Sequence, residues 1–595
     1  MIRFDQIKNT SHIKNVNDIV RPGVLAGSVA MRSILQNIYG KPKGEAAFSR
    51  ITAVLDTFLK KNTIGEASPF SASDVILITY GDTLLREGEP PLQTLHRFLD
   101  EHVNDLFSVI HILPFFPFSS DDGFSITDFF SVRSDLGSWA DIRSLGGRFR
   151  LMADLVANHI SAESPWFRNY LADQKGFENL AIEVDPLTDL SMVTRPRSLP
   201  LLTEFKKHSG RKAHLWTTFS ADQVDLNYRS IDVLENMLRV MLFYVSQGTG
   251  IIRMDAVAYL WKEIGTSCIH LPKTHEMIQL FRRVLDMVAP QVALITETNV
   301  PYNENIRYFG NGRNEAQMVY NFTLPPLLLH ALTTGNARVL SKWVMTLSTP
   351  SSETTFLNFT ASHDGIGVRP LEGLLPSSEI HKLADRVRRN GGYVSTHRHQ
   401  DGTDDPYELN ITYFDALKDP GIVDDPFQIA RFLASQAVAL VLPGVPAVYI
   451  HSLLGSHNWT AGIEATGQAR TINREKLSLD VISEELTDPH TTRARVFQAY
   501  RHMLRIRTAQ PAFHPGADMQ VHHLDDRVLI IQRSCRDQTL FAVINLSADK
   551  LTLSLLDLAS SPVLTDLVGG GRFSAQAVNM FPYTVLWLEP DPSYS

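Results

Sequence analysis

From Asp74 onward the chain is punctuated by short runs of β-branched and aliphatic residues, with apolar positions at helical spacing between them. The runs are Val75–Tyr80, Val109–Leu113, Leu151–Ala157, Gly250–Met254, Val292–Thr296, Met318–Phe322, Thr355–Thr360 and Pro446–Ile450. Continuous rather than alternating apolarity suits parallel strands buried on both faces. Eight such runs alternating with helices predict an α/β chain folded as a (β/α)8 TIM barrel. Roughly ninety residues separate the third run from the fourth, and the seventh from the eighth. One loop and one helix need far fewer, so insertions are expected after strands 3 and 7, at about 160–235 and 366–425. Both would stand at the C-terminal mouth of the barrel, where such folds build their sites.

Outside residues 71–510 the pattern changes. Val24–Tyr39 and Ala46–Leu59 carry apolar residues at three-to-four spacing and predict two amphipathic helices in an N-terminal extension, residues 1–70, closed by a linker at Gly65-Glu-Ala-Ser-Pro. No chemistry is visible there, and packing or a subunit contact is its expected role. Val528–Gln532, Leu540–Ile544, Leu551–Leu555 and Thr584–Leu588 are short β-rich runs separated by turn residues, and predict a small antiparallel β domain over 511–595.

Composition narrows the function. At 595 residues the chain exceeds one compact core; about 150 residues per domain would give four units, but a barrel absorbs 250 or more. Lys plus Arg number 56 against 64 Asp plus Glu, a net charge of −8, which argues against a nucleic-acid binder. Two cysteines, Cys268 and Cys535, exclude a disulfide framework and a cysteine-based zinc site. The opening MIRFDQIKNTSHIKN lacks the apolar stretch of a secretory signal, and Ala434–Ile450 is broken by Pro443-Gly444, so a cytoplasmic protein is expected.

The candidate chemistry sits at strand ends. The third run ends in Asp154-Leu-Val-Ala-Asn158-His159, and the fourth reads Arg253-Met-Asp255-Ala-Val-Ala-Tyr259. The fifth ends in Glu297-Thr-Asn299, and the seventh is followed by His363-Asp364-Gly-Ile-Gly367. All deliver ionisable side chains to one mouth. Asp255, Glu297 and Asp364 then face one space, with two histidines and an arginine. Glycosidic-bond chemistry needs a carboxylate nucleophile and a carboxylic acid on either side of the bond. Arg253 and Asp255 alternate onto one side of their strand, so Arg253 is expected to hold Asp255 ionised, while Glu297 needs a raised pKa to donate a proton. His159 and His363 suit hydrogen bonding to sugar hydroxyls.

The segments DLVANH, GIIRMDAVAY, LITETN and ASHDGIG resemble, in order, the four signature regions of glycoside hydrolase family 13. The resemblance implies Asp255 as nucleophile, Glu297 as acid/base and Asp364 as transition-state stabiliser, with Arg253, His159 and His363 in support. LITYGDT, HILPFFPFSSDDGF, VTRPRSLP, DAVAYLWKEIGTSCIHLPKTHE, LPPLLLHAL and RTINR resemble the sucrose phosphorylase subfamily, over about residues 72–590. That subfamily moves a glucosyl unit to phosphate with retention, and needs no metal or other cofactor. By the same resemblance Asp121 and Arg470 hold the distal glucose hydroxyls, and Phe124, Phe219, Gln223 and Tyr259 wall the sugar.

The chain departs from sucrose phosphorylases in its N-terminal helices, in Thr-Asn-Val-Pro after Glu297, and in the segment Gly391-Gly-Tyr-Val-Ser-Thr-His397-Arg398-His399. In these it resembles the phosphorylases that act on 2-O-α-glucosylglycerate. The implied substrates are glucosylglycerate, phosphate, α-glucose 1-phosphate and glycerate, with Arg195, Arg197, His397, Arg398 and His399 as candidates for the acceptor and phosphate anions. A solvated loop at 397–399 and a structural clamp at Arg195-Pro-Arg197 fit the residues as well. A sucrose- or glucosylglycerol-type acceptor, an α-glucosidase or transglucosidase, and a barrel serving only as a scaffold stay open; the last would be marked by a missing carboxylate. The resemblance allows a homodimer.

Overall fold

The computed structural model of the chain describes residues 22–66, 70–196, 199–398 and 404–594. Eight strands close into a barrel: β1 (Ile76–Thr79), β2 (Val109–Ile112), β3 (Arg150–Val156), β4 (Thr249–Asp255), β5 (Ala293–Thr296), β6 (Met318–Tyr320), β7 (Thr355–Phe359) and β8 (Val445–Tyr449). Each pairs in parallel with its sequence neighbours, and β8 closes on β1 through Ile76 opposite Ala447. Every residue of β1, β2, β5, β6, β7 and β8 is buried, which is why they read as unbroken apolar runs. Each strand predicted from those runs is present.

The long intervals carry insertions at the mouth. After β3, short strands at His159–Ser161 and Gln223–Asp225 pair antiparallel, and a hairpin joins Leu202–Lys206 to Lys212–Trp216. After β7, strands Tyr393–Arg398 and Asp404–Asn410 pair antiparallel, and the latter also pairs with Ile366–Gly367. The segment read from sequence as a loop at His397 is therefore strand up to Arg398. Its polar Ser-Thr-His-Arg composition hides the pairing, because one side of this small sheet faces the solvent-filled mouth.

The N-terminal helices α1 (Pro22–Tyr39) and α2 (Lys41–Leu59) pack on the outside of the barrel, against α3 (Ile231–Ser246) and α4 (Pro272–Val288). Met31, Leu35, Ile51 and Leu55 belong to the same buried core as the barrel helices. Arg50 binds Asp232 at 2.6 Å and Glu235 at 2.7 Å, and the Tyr39 hydroxyl donates to the Tyr228 carbonyl at 2.8 Å.

The C-terminal sheet has the order β9-β10-β11-β14-β12-β13: β9 (Asp518–His522), β10 (Val528–Cys535), β11 (Gln538–Asn545), β12 (Val563–Asp566), β13 (Arg572–Ser574) and β14 (Val585–Pro590). Its period of two splits the side chains: Leu529, Ile531, Leu540, Ala542 and Trp587 join the main core, while Val528, Ile530, Phe541, Val543 and Leu588 form a second one.

Arg507, near the end of α5 (Thr492–Thr508), is 0% exposed and locks this junction. Its guanidinium donates to the carbonyls of Asp74 at 3.1 Å, Phe513 at 3.2 Å, Leu440 at 3.3 Å and Gly444 at 3.4 Å, and also to Ala72. Burial pushes it down to about 9. Arg507→Met would strand several buried carbonyls, at a cost of about 3–5 kcal/mol. Thermal and urea melts should show clearly lower midpoints; unchanged midpoints would contradict the clamp.

Candidate active site

The strand ends deliver the polar residues as the pattern predicts. Asp255 is the last residue of β4, Glu297 follows the last residue of β5, and Asp364 lies in the turn after β7. Asp121, Phe124, His159, Phe219, Gln223, Asp255, Tyr259, Glu297, His363, Asp364 and Arg470 all line one cavity at the mouth. Arg253, 2% exposed, lies beneath its floor.

Three carboxyls in this cavity have three different environments. Asp255 accepts a 2.8 Å bond from Arg253 Nη1. The same guanidinium also binds Asp154, fully buried on β3, while Nε donates to the Tyr320 hydroxyl at 3.1 Å. Asp154 is held on its other side by His111 at 2.8 Å. Arg253 is thus shared, and burial wins at Asp255: its pKa is pushed up to about 8, with Glu297 adding repulsion. The bond between Arg253 and Asp255 expected from their shared side of the strand is present, and burial opposes its effect on the carboxyl.

Among the described residues no cation forms an ion pair with Glu297, although the Arg253 charge reaches it. Its Oε2 accepts the Ala256 backbone N–H at 3.0 Å, and burial raises its pKa above the usual carboxylate range. Ala256 reaches it from a left-handed conformation, φ 49°, directly after Asp255, a strain of the kind that collects at functional sites. Burial thus raises both carboxyls, and Glu297 repels the charged form of Asp255. The hydrogen bond from Arg253 favours the arrangement with Asp255 ionised and the proton on Glu297.

Asp364 is the reverse case. Burial alone would raise it, but the charges around it hold it well below the usual range. Arg470 Nη1 donates to it at 2.7 Å, and Arg474 Nη2 stands 3.9 Å away. His363, 3.6 Å from its Oδ2, is pushed down to about 3 by burial, so it is neutral near pH 7 and the arginines supply the charge.

The sugar-sized walls are equally fixed. Phe124 stacks on His363 with centroids 4.9 Å apart, and Phe219 meets Tyr259 edge-on at 5.5 Å. His159 Nε2 lies 2.9 Å from the Phe124 carbonyl, and Gln223 donates to Asp121 at 3.1 Å. Asp121 and Asp122 both adopt left-handed φ, 55° and 47°, in the turn that brings Asp121 to the cavity.

Sequence reasoning missed several residues of the site. Glu408 lines the cavity and grips Arg470 through two bonds, at 2.7 and 3.1 Å. Arg474 donates to the His363 carbonyl at 2.8 Å and binds Asp122; it is the second arginine of RTINR, so its motif was visible although its role was not. Asn299 and Tyr407 also line the cavity. The glycines of the HDGIG turn permit this packing. A Cβ at Gly365 would stand 2.6 Å from Glu408 Cγ, and one at Gly367 would stand 2.3 Å from Asn299 Nδ2.

The acceptor candidates divide. Arg195 and His397 line a second cavity, which shares Pro196 and Tyr407 with the first. Arg197, His399 and the Arg398 side chain lie outside the described residues. Cys268 is buried, its sulfur 3.3 Å from the Glu263 carbonyl, as a packing residue would be. Among the described residues no group of three or more His, Cys, Asp or Glu side chains is placed to hold a metal ion, and no helix is long and apolar enough to cross a membrane.

Residues 102–365 match the alpha amylase, catalytic domain model. The glucosylglycerate phosphorylase of Allomeiothermus silvanus is 48% identical over 563 residues, 94% of this chain and 98% of that protein. The chain belongs to the glucosylglycerate phosphorylase family. A second member of that family, from Escherichia coli, is 44% identical over 93% of this chain and 99% of its own length. Among solved structures, the sucrose 6F-phosphate phosphorylase from Thermoanaerobacter thermosaccharolyticum superposes with a TM-score of 0.70 at 27% identity, covering 80% of this chain and 94% of that one.

Proposed function

We propose that the protein is a retaining glucosylglycerate phosphorylase, transferring the glucosyl unit of 2-O-α-D-glucosylglycerate to phosphate and releasing α-D-glucose 1-phosphate and D-glycerate. The observation that carries this reading is the set of three carboxyls in one cavity with three environments: one bonded to an arginine, one raised by burial and bonded to a backbone N–H, one held anionic by two arginines.

In the first half-reaction Asp255 attacks C1 of the glucosyl unit as the bond from C1 to the glycerate oxygen breaks, and Glu297 gives that oxygen its proton. Asp364 stays ionised beside the sugar and stabilises the oxocarbenium character of the transition state. Phosphate then replaces glycerate. Glu297, now a carboxylate, accepts a proton from the phosphate, whose oxygen attacks C1 and displaces Asp255. Two inversions leave the α configuration. Arg470 and Asp121 would hold the distal hydroxyls, and Phe124, Phe219, Tyr259, His159, His363 and Gln223 the ring. Both leaving group and second nucleophile are anions, and Arg195, Arg197, His397, Arg398 and His399 are the cations proposed to receive them. The reading places the enzyme in the cytoplasm, supported by two free cysteines, and carries over a homodimer from the resemblance.

Consumption of glucosylglycerate should require phosphate, and proton NMR should show α-glucose 1-phosphate as the first product. Equal consumption without phosphate, yielding glucose, would make the protein a hydrolase.

A further inference from the structure

Arg369 lines the second cavity on a rigid mount. It opens a short turn, Arg369–Leu371, two residues beyond Gly367. Gly367 pairs with Glu408, the residue that grips Arg470, and packs on Asn299 of the loop that follows Glu297. The Val368 N–H donates to the Tyr407 carbonyl at 3.1 Å. Arg369 lines the outer cavity together with Arg195 and His397. The Tyr259 hydroxyl, a wall of the catalytic cavity pushed up by burial, feels the charges of both Arg369 and Glu297, so the guanidinium lies on the acid/base side of the site.

Its bonding leaves it ready for an anion. Among the described residues its carboxylate neighbour is Glu304, whose Oε2 is 3.7 Å from Nη2, longer than a hydrogen bond. The same oxygen is 3.2 Å from His270 Nε2. His270 itself is fixed from a left-handed backbone, φ 56°, by a 2.6 Å contact from its Nδ1 to the Tyr308 hydroxyl. The Arg369 side chain is 27% exposed, where such a pair is weak. Arg195, by contrast, donates to the Leu199 carbonyl of its own loop.

We propose that Arg369 is a specificity residue for the acceptor: its guanidinium turns from Glu304 to the carboxylate of glycerate, and binds phosphate in the other half-reaction. A planar fork of donors suits both anions, and the 3.7 Å separation from Glu304 ties up none of those donors in a hydrogen bond to that carboxylate. This assignment rests on the proposed phosphorolysis.

The test compares D-glycerate with glycerol, which lacks the carboxylate, as acceptors from α-glucose 1-phosphate. For Arg369→Gln and Arg369→Ala, the ratio of kcat/KM for glycerate to kcat/KM for glycerol should fall at least ~10-fold, mostly through KM for glycerate. A fall of less than ~10-fold in the variants overturns the assignment, because a merely structural arginine damages both acceptors alike. Using a ratio cancels any loss of folded enzyme, and the two variants remove the charge with and without the side-chain bulk. A parent enzyme that makes no use of glycerate fails the glucosylglycerate reading itself, whereas a parent that uses it with unmoved variant ratios fails only the role of Arg369.

Discussion

Asp255→Asn is expected to reduce phosphorolysis of glucosylglycerate by a factor on the order of 10⁴ or more. The amide keeps the size and one acceptor oxygen of the side chain, so Arg253 retains a partner at 2.8 Å and the barrel floor is not emptied. What is lost is the nucleophile, and with it the covalent glucosyl-enzyme through which both half-reactions pass. Binding depends on the walls of the cavity and should survive, so the loss belongs in kcat. The check is steady-state phosphorolysis with a binding measurement on the same variant. Activity above a trace would mean that the reaction does not pass through Asp255.

Glu297→Gln should separate leaving groups. Glycerate leaves as an alkoxide unless protonated, and the variant is expected to lose about 10²–10⁴-fold on glucosylglycerate. α-Glucosyl fluoride needs no proton on its leaving group, and formation of the glucosyl-enzyme from it should fall by less than about 10-fold. Equal losses on both donors would remove Glu297 from the acid role.

The pH dependence follows from the same pair. Burial raises both carboxyls, Asp255 to about 8. A raised acid keeps its proton below its pKa and loses it as pH rises through that value. The parent kcat/KM on glucosylglycerate should therefore persist to higher pH than an ordinary carboxylic acid would allow and fall as Glu297 loses its proton, while the fluoride, which needs only an ionised nucleophile, should show no alkaline fall.

How much of this was legible in the sequence depended on distance along the chain. The barrel strands are buried on both faces, so each is a continuous apolar run, and the functional groups of β3, β4 and β5 stand at the very ends of those runs. Asp255 and Arg253 share a strand face and were readable as a pair. Glu408 lies far beyond β7 in sequence and reaches the cavity only because Asp404–Asn410 folds back onto Ile366–Gly367. Nothing local in Asp405-Pro-Tyr-Glu408 announces a partner for Arg470. Arg369 was hidden for the same reason, as its surroundings come from the segment after β5, the first insertion and the strands Tyr393–Arg398 and Asp404–Asn410 together. The raised pKa of Asp255 also escaped, since the sequence shows Arg253 beside it but not that Asp154 shares the guanidinium. In the C-terminal domain, three-residue strands such as β13 are too short to show a period, whereas β10 and β11 alternate long enough to be read.

The most direct measurement is phosphate release from α-D-glucose 1-phosphate with D-glycerate, glycerol, fructose, fructose 6-phosphate or water as the acceptor. A strong preference for D-glycerate is the predicted result, with little release to water. Preference for fructose or glycerol would contradict the acceptor assignment, and release with water alone would contradict phosphorylase function.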